Sequence, residues 1–173
     1  MDIHAKKYLE YIDNADIANF KKYMEENKTE NNNALSTTNE TVDIFCVACV
    51  KNRLEIVKLI INSEIEIKSD IKLLIEIICK KNSIDILSYF LELIALQSQD
   101  KLQLHPSVKL MLNYMDSMNG LRYYGYNMAL FNLEEDVVKL LKSKYECRLF
   151  IYQNYPYPCY NHGEQMLELH NKN

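Results

Sequence analysis

The chain has very little glycine or proline, with three residues of each among 173. Because these residues mark most tight turns and helix breaks, their scarcity favours a mainly helical chain. No apolar run approaches the roughly 18 residues that a membrane-spanning helix needs. There is also no extended lysine and arginine cluster, and the net charge is only −4. These absences disfavour a membrane protein and a nucleic-acid binder, whose affinity would depend on a basic face.

The N-terminal residues and the cysteines point to a compartment. Residues Met1–Lys7 begin with an acidic residue and contain no apolar core, so we expect no signal peptide, and with aspartate as the second residue we expect no N-myristoylation. The five cysteines are an odd number, and Cys46, Cys49 and Cys79 lie in apolar segments where a reduced thiol packs as a small hydrophobe. We therefore expect a cytoplasmic protein, and we interpret the Cys46/Cys49 pair as packing residues rather than a redox or metal site.

Motifs for catalysis are absent from the sequence. It contains no glycine-rich phosphate loop, no nucleophile elbow and no His-Glu-x-x-His motif. The carboxylates Glu55, Asp85 and Asp136 recur at the starts of predicted helices, where the helix dipole favours negative charge. We expect a protein that is not an enzyme and has no cofactor.

What the sequence does contain is a high share of hydrophobic residues, 48% of the chain, arranged with helical spacing. Residues Asp43–Ile67 hold two apolar segments, joined at Lys51–Arg53, in which apolar residues recur at helical spacing. Each segment is too short to be stable alone, so the pattern predicts two antiparallel helices packed together. Asn52 is the predicted turn residue, because asparagine tolerates the left-handed conformation that ends a helix.

This pattern returns along the chain. Asn52 and Asn82, Cys49 and Cys79, and Glu55 and Asp85 are each 30 residues apart. A third copy lies at Tyr126–Leu141, with Ala129 matching Ala48. A weaker fourth copy lies at Ala15–Phe20, where Asp16 is matched to Glu55, 39 residues later. A period in this range is typical of a stacked array of repeats. The sequence therefore predicts an all-α fold built of stacked helix-turn-helix units.

Residues Ala48–Ile61 resemble the ankyrin repeat, whose second half reads approximately Ala-Ala-x-x-Gly-His-x-Glu-Val-Val-Lys-Leu-Leu-Leu. The match is strongest over Leu54–Ile61, while asparagine replaces the turn glycine at positions 52 and 82. The period and composition are similar to those of divergent ankyrin proteins of giant viruses and protists. The resemblance implies a short ankyrin-like solenoid of roughly three to five repeats. It also implies a non-catalytic module that binds and modulates another protein, in the host cytoplasm if the chain is viral.

The same resemblance implies a concave binding face made of the inner helices and the hairpin tips. Carried over to this chain, that face comprises the following residues: Glu40, Asp43, Val50, Lys51, Asp70, Lys80, Lys81, Phe131 and Asn132. An ordinary solvated surface is the alternative for these positions.

The expected domain organisation is a helical repeat domain over residues 1–145, followed by an irregular tyrosine-rich cap or tail over residues 146–173. Within the repeat domain we expect a break at Asp13–Asn14, with one of these residues capping the next helix, and a mobile polar loop at 27–40. An insertion at 98–120 is expected to contain a helix over Ser107–Met118 that stops at Gly120.

The C-terminal segment supports two rival interpretations. Four residues of the types that bind zinc occur there: Cys147, Cys159, His162 and His170. They suggest a zinc-stabilised adaptor, although their spacing fits no common finger. Nine of the thirteen tyrosines lie between Tyr114 and Tyr160, which suits either a cap over the last repeat or an interface. The second rival is a structural subunit that forms a homodimer through this tyrosine-rich end.

Overall fold

The computed structural model describes residues 3–27, 44–63, 66–81, 83–99, 103–117 and 119–145. These residues form an all-helical structure without strands, as the sequence predicts. The α-helices are α1 (Ile3–Asp13), α2 (Ile17–Glu26), α3 (Ile44–Val50), α4 (Leu54–Ile61), α5 (Ile71–Lys80), α6 (Ile84–Gln97), α7 (Pro106–Asp116), α8 (Tyr126–Phe131) and α9 (Glu135–Lys144). A π-helical segment, Leu121–Gly125, leads directly into α8.

Eight of the helices form four hairpins, each made of a first and a second helix. The first helices α1, α3, α5 and α8 pack side by side in one layer, and the second helices α2, α4, α6 and α9 pack side by side in the other. Helix α7, from the predicted insertion, packs against α5 and α6 before the fourth hairpin begins. The described chain is therefore a two-layered row of helical hairpins.

The four hairpins share one backbone hydrogen bond at the turn. The backbone is left-handed at Ala15, Asn52 and Leu133, with φ values of 53°, 52° and 58°. The N–H that follows this turn position donates to the carbonyl oxygen five residues earlier in every hairpin, and the pairs are Asp16–Tyr11, Arg53–Ala48, Ser83–Ile78 and Glu134–Ala129, at 2.8–3.2 Å. This is the Schellman pattern of helix ends. It confirms the predicted role of Asn52 and the match of Ala129 to Ala48.

Side chains at the turns join consecutive hairpins. The Lys51 ammonium lies 3.1 Å from the Asp13 carboxylate in the first turn. The Asn52 side-chain amide lies 3.4 Å from Asp85, in the first turn of α6. The turns of the first three hairpins therefore lie along one edge of the row. The first helices of these three hairpins run in the same direction.

Burial explains why short helices suffice. In α3 all residues except Val47 and Val50 are buried, because this helix has neighbours on three sides. In α4 the buried face is Ile56, Val57, Ile60 and Ile61. Full burial of such side chains contributes about 1.5–3 kcal/mol each, which the isolated helices cannot obtain.

Two local predictions for the first hairpin are wrong. Neither Asp13 nor Asn14 caps α2: the cap is Asp16, whose carboxylate accepts the N–H of Asn19 at 3.1 Å. Asp16 follows the left-handed Ala15, just as Arg53 follows Asn52. The first and second hairpins are therefore offset by 37 residues rather than by the 39 that matching Asp16 to Glu55 implied.

Gly120 does not stop the insertion helix, which already ends at Asp116. A β-carbon at Gly120 would lie 2.2 Å from the carbonyl oxygen of Tyr114 and 2.4 Å from that of Met115. Glycine is needed here because the chain crosses the end of α7 at very short range as it enters the π-helical segment.

Candidate protein-binding surface

Six of the predicted partner-binding residues lie at the ends of first helices. Val50 and Lys51 end α3, Lys80 and Lys81 end α5, and Phe131 and Asn132 end α8. Because these helices are neighbours in one layer, their ends belong to the turn edge of the row. Glu40 and Asp43 lie outside the described residues.

Asp70 lies at the opposite end of α5. Its carboxylate caps this helix by accepting the N–H groups of Lys72 at 2.9 Å and Leu73 at 3.2 Å. A helix of ten residues is about 15 Å long, so Asp70 and Lys80 are separated by the whole length of α5. The predicted residues therefore span the first-helix layer from end to end rather than forming one compact patch.

One partly exposed stripe on α5 connects these two ends. Leu73, Glu76 and Lys80 have the i, i+3, i+7 spacing that places side chains on one side of a helix. This stripe does not belong to the buried side of α5, which is formed by Leu74, Ile75, Ile78 and Cys79. Together with exposed or half-buried residues of α3, the π-helical segment and α8, it forms what we call the first-helix face: Val50, Leu73, Glu76, Lys80, Tyr124 and Phe131.

Glu76 is the centre of a polar cluster on this face. Its carboxylate accepts hydrogen bonds from the Lys80 ammonium and, at 2.6 Å, from the Tyr124 hydroxyl. The Lys72 ammonium lies 4.9 Å from the centre of the Tyr124 ring, within cation–π range. The cluster joins the third hairpin to the fourth and fixes the position of the Tyr124 ring.

The cluster changes the acid–base properties of both partners. The hydrogen bond from Lys80, and then that from Tyr124, lower the pKa of Glu76 below its ordinary value. Burial, and then the contact with Glu76, raise the pKa of Tyr124 well above its ordinary value. Around neutral pH the cluster therefore contains an ionised Glu76 carboxylate and a neutral Tyr124 phenol.

Large apolar side chains flank this cluster. Phe131 is 62% exposed, Leu73 48% and Val50 38%. Aromatic residues combined with aliphatic ones are typical of the central part of protein interfaces. The prediction from the sequence included Val50 and Phe131 but missed Leu73, Glu76 and Tyr124. Glu76, the acidic residue of α5, was the one signal that pointed to them.

The three cysteines of the repeats are buried, which confirms that they pack as small hydrophobes. Burial raises the pKa of the Cys79 thiol to about 12, so this thiol is not nucleophilic at neutral pH. The alternative zinc ligands, Cys147, Cys159, His162 and His170, lie outside the described residues. Within the described ranges no cluster of three or more potential metal ligands occurs.

No family model, curated protein or solved structure matches the chain. In the part of the chain that the structure describes, the helices are all too short or too polar to cross a membrane.

Proposed function

We propose that this chain is a non-catalytic, ankyrin-like interaction module that binds another protein through the first-helix face. The ankyrin assignment is supported by four hairpins with the same turn hydrogen bond and by the resemblance of Ala48–Ile61 to the ankyrin repeat. A partner in a host cell, which the resemblance to viral and protist ankyrins suggests, remains part of this proposal.

The observation that carries the proposal is the composition of the first-helix face. Three exposed apolar side chains lie in the same layer as a cluster in which Glu76 accepts hydrogen bonds from lysine and tyrosine. Side chains held in place before binding lose less conformational entropy when a partner arrives. Tyrosine also supplies a large contact area with few rotatable bonds.

The experiment is affinity capture with Leu73→Glu and a matched control, Ile17→Glu. Both residues are exposed aliphatic side chains, 48% and 42% respectively, and both lie in the first turn of a helix, where glutamate is tolerated. Leu73 belongs to the first-helix face, whereas Ile17 begins α2 in the second layer.

Tagged wild-type and variant chains are exposed to an extract of the cells that make the protein, and captured proteins are quantified by mass spectrometry. We expect at least one protein to be captured by the wild type and Ile17→Glu but lost with Leu73→Glu, while the midpoints of thermal unfolding remain similar. Loss of the same protein with both variants, or with neither, would place the binding surface elsewhere.

A further inference from the structure

The connection from α7 to the π-helical segment contains the sequence Asn119–Gly120, and no other asparagine of the chain precedes a glycine. An asparagine side chain reacts without an enzyme when the backbone nitrogen of the next residue attacks its carbonyl carbon, because both groups lie in one short stretch of chain. Glycine favours the attack because it has no β-carbon to obstruct the approach. This pair is therefore the position at which the chain is most prone to lose a side-chain amide.

The Asn119 side chain is exposed, and it makes no hydrogen bond to the other described residues. Asn27, Asn127 and Asn132 differ, because each donates a side-chain N–H to the backbone carbonyl oxygen four residues earlier, at 2.7–2.8 Å. Such a bond holds the amide away from the nitrogen of the following residue. The Asn119 amide, by contrast, can turn toward Gly120 and release ammonia into solvent.

The attacking nitrogen, which belongs to Gly120, is restrained by the fold. Its N–H donates to the carbonyl oxygen of Ser117 at 3.0 Å, and Gly120 is buried. This bond closes a turn just after the end of α7. Hydrogen bonds outside the core open locally without unfolding of the whole chain. The rate of attack is therefore set by how often this turn opens.

We propose that Asn119 is a self-modification site, at which the chain deamidates when the turn between Ser117 and Gly120 opens. The Gly120 nitrogen forms a bond to Cγ of Asn119, the bond from Cγ to Nδ2 breaks, and Nδ2 leaves as ammonia with the proton of the Gly120 amide. Water then opens the resulting succinimide ring at either of its carbonyl groups. Opening at one carbonyl gives aspartate, and opening at the other gives isoaspartate, in which the main chain runs through Cγ.

The isoaspartate product conflicts with the path of the chain at this point. Its main chain is longer by one carbon atom immediately before Gly120. A β-carbon at Gly120 would already lie 2.2 Å from the carbonyl oxygen of Tyr114 and 2.4 Å from that of Met115, so the backbone has little room to shift. The modification therefore loosens the connection between α7 and the π-helical segment, which carries Tyr124 and its hydrogen bond to Glu76.

The first test is peptide mapping by mass spectrometry of the purified chain during storage at neutral pH. We expect Asn119 to be converted to a mixture of isoaspartate and aspartate, while Asn14, which is also exposed but precedes alanine, stays intact. The folded chain should react about tenfold more slowly than the chain in urea, since one hydrogen bond of the Gly120 N–H has to open first. Conversion of Asn119 in urea but not in the folded chain, or equal conversion of Asn14, would overturn the proposal.

The second test separates the inserted main-chain atom from the new negative charge. The isoaspartyl form is purified from the stored chain, and its midpoint of thermal unfolding is compared with that of the Asn119→Asp variant, which has the same charge on an ordinary main chain. We expect the isoaspartyl form to unfold several degrees lower, with Asn119→Asp close to the wild type. Equal midpoints of the two forms would contradict the loosening of this connection. Neither test needs a partner, so both are independent of the capture experiment on Leu73.

Discussion

Arg53 donates from Nε to the carbonyl oxygen of Ile12 at 3.0 Å, and one of its terminal nitrogens donates to that of Asp13 at 3.2 Å. The side chain belongs to the turn of the second hairpin, while both acceptors lie at the end of α1. Carbonyl groups at a helix end have no partner within the helix. Arg53 therefore ties the first hairpin to the second through the last two carbonyl groups of α1, of which that of Ile12 also accepts the N–H of Ala15 at 3.2 Å.

Replacing Arg53 should weaken the stack. We expect Arg53→Met to lower the free energy of unfolding by about 1–2 kcal/mol, because two hydrogen bonds from a charged donor are lost at a partly buried site. Urea denaturation measures the change. The control is Lys51→Met, which removes only an exposed ion pair with Asp13 and should change stability by less than about 0.5 kcal/mol. Equal effects of the two substitutions would show that Arg53 is not a link between hairpins.

Leu133 occupies the left-handed position of the last turn, where the second hairpin has Asn52. A left-handed conformation costs a residue with a branched side chain about 1–2 kcal/mol, and asparagine less. We therefore expect Leu133→Asn to raise the free energy of unfolding by about 0.5–1 kcal/mol. The same exchange at Leu110, an exposed leucine within α7, should lower it by about 0.5 kcal/mol. A loss of stability at both sites would contradict the argument from the turn.

Gly120, which precedes the π-helical segment, and Gly125, which ends it, should respond differently to alanine. At Gly120 the added carbon would overlap backbone oxygens, so we expect a loss of about 3 kcal/mol or of cooperative folding altogether. At Gly125 the nearest atoms are side-chain atoms of Cys79, Ile75 and Leu121, all at 3.1 Å, which can yield slightly. The crowding around an added β-carbon at Gly125 is partly offset by the better helix propensity of alanine. We therefore expect the free energy of unfolding to change by less than about 1 kcal/mol. Thermal unfolding by circular dichroism ranks the two, and the opposite order would contradict the described path of the chain.

Glu76 should give the chain a measurable pH dependence. Since its pKa is lower in the folded state than its ordinary value of 4.5, the unfolded state binds more protons as the pH falls through this range. The stabilisation by Glu76 is therefore present above pH 4.5 and is lost as the pH falls through the folded-state pKa. The Glu76→Gln variant should lack this pH-dependent stabilisation. The difference in unfolding free energy between the wild type and this variant should therefore become smaller as the pH falls. A difference that is the same from pH 7 to pH 3 would argue against the cluster.

The repeat pattern predicted the hairpins because local rules determine them. Asn52 tolerates a left-handed turn, and Ala129 takes the place of Ala48 in the same turn hydrogen bond. The prediction matched the first hairpin to the second with an error of two residues. The left-handed residue of the first hairpin is Ala15, and alanine is not a typical turn residue. The sequence thus predicted which segments form hairpins better than it predicted the exact turn residue of each hairpin.

Contacts between distant residues could not be predicted in this way. Glu76 and Tyr124 are 48 positions apart, and they meet only because the π-helical segment turns the tyrosine toward α5. The role of Gly120 likewise depends on how closely the chain passes α7. Such features result from packing between hairpins, which no local pattern records.

Hydrogen–deuterium exchange of the chain, with and without the protein that it captures, tests binding at the first-helix face most directly. We expect slower exchange on binding in 71–80 and 126–132, which contain Leu73, Lys80 and Phe131, and no change in α2 or α9. Slower exchange confined to the second layer, with α5 and α8 unchanged, would contradict the account.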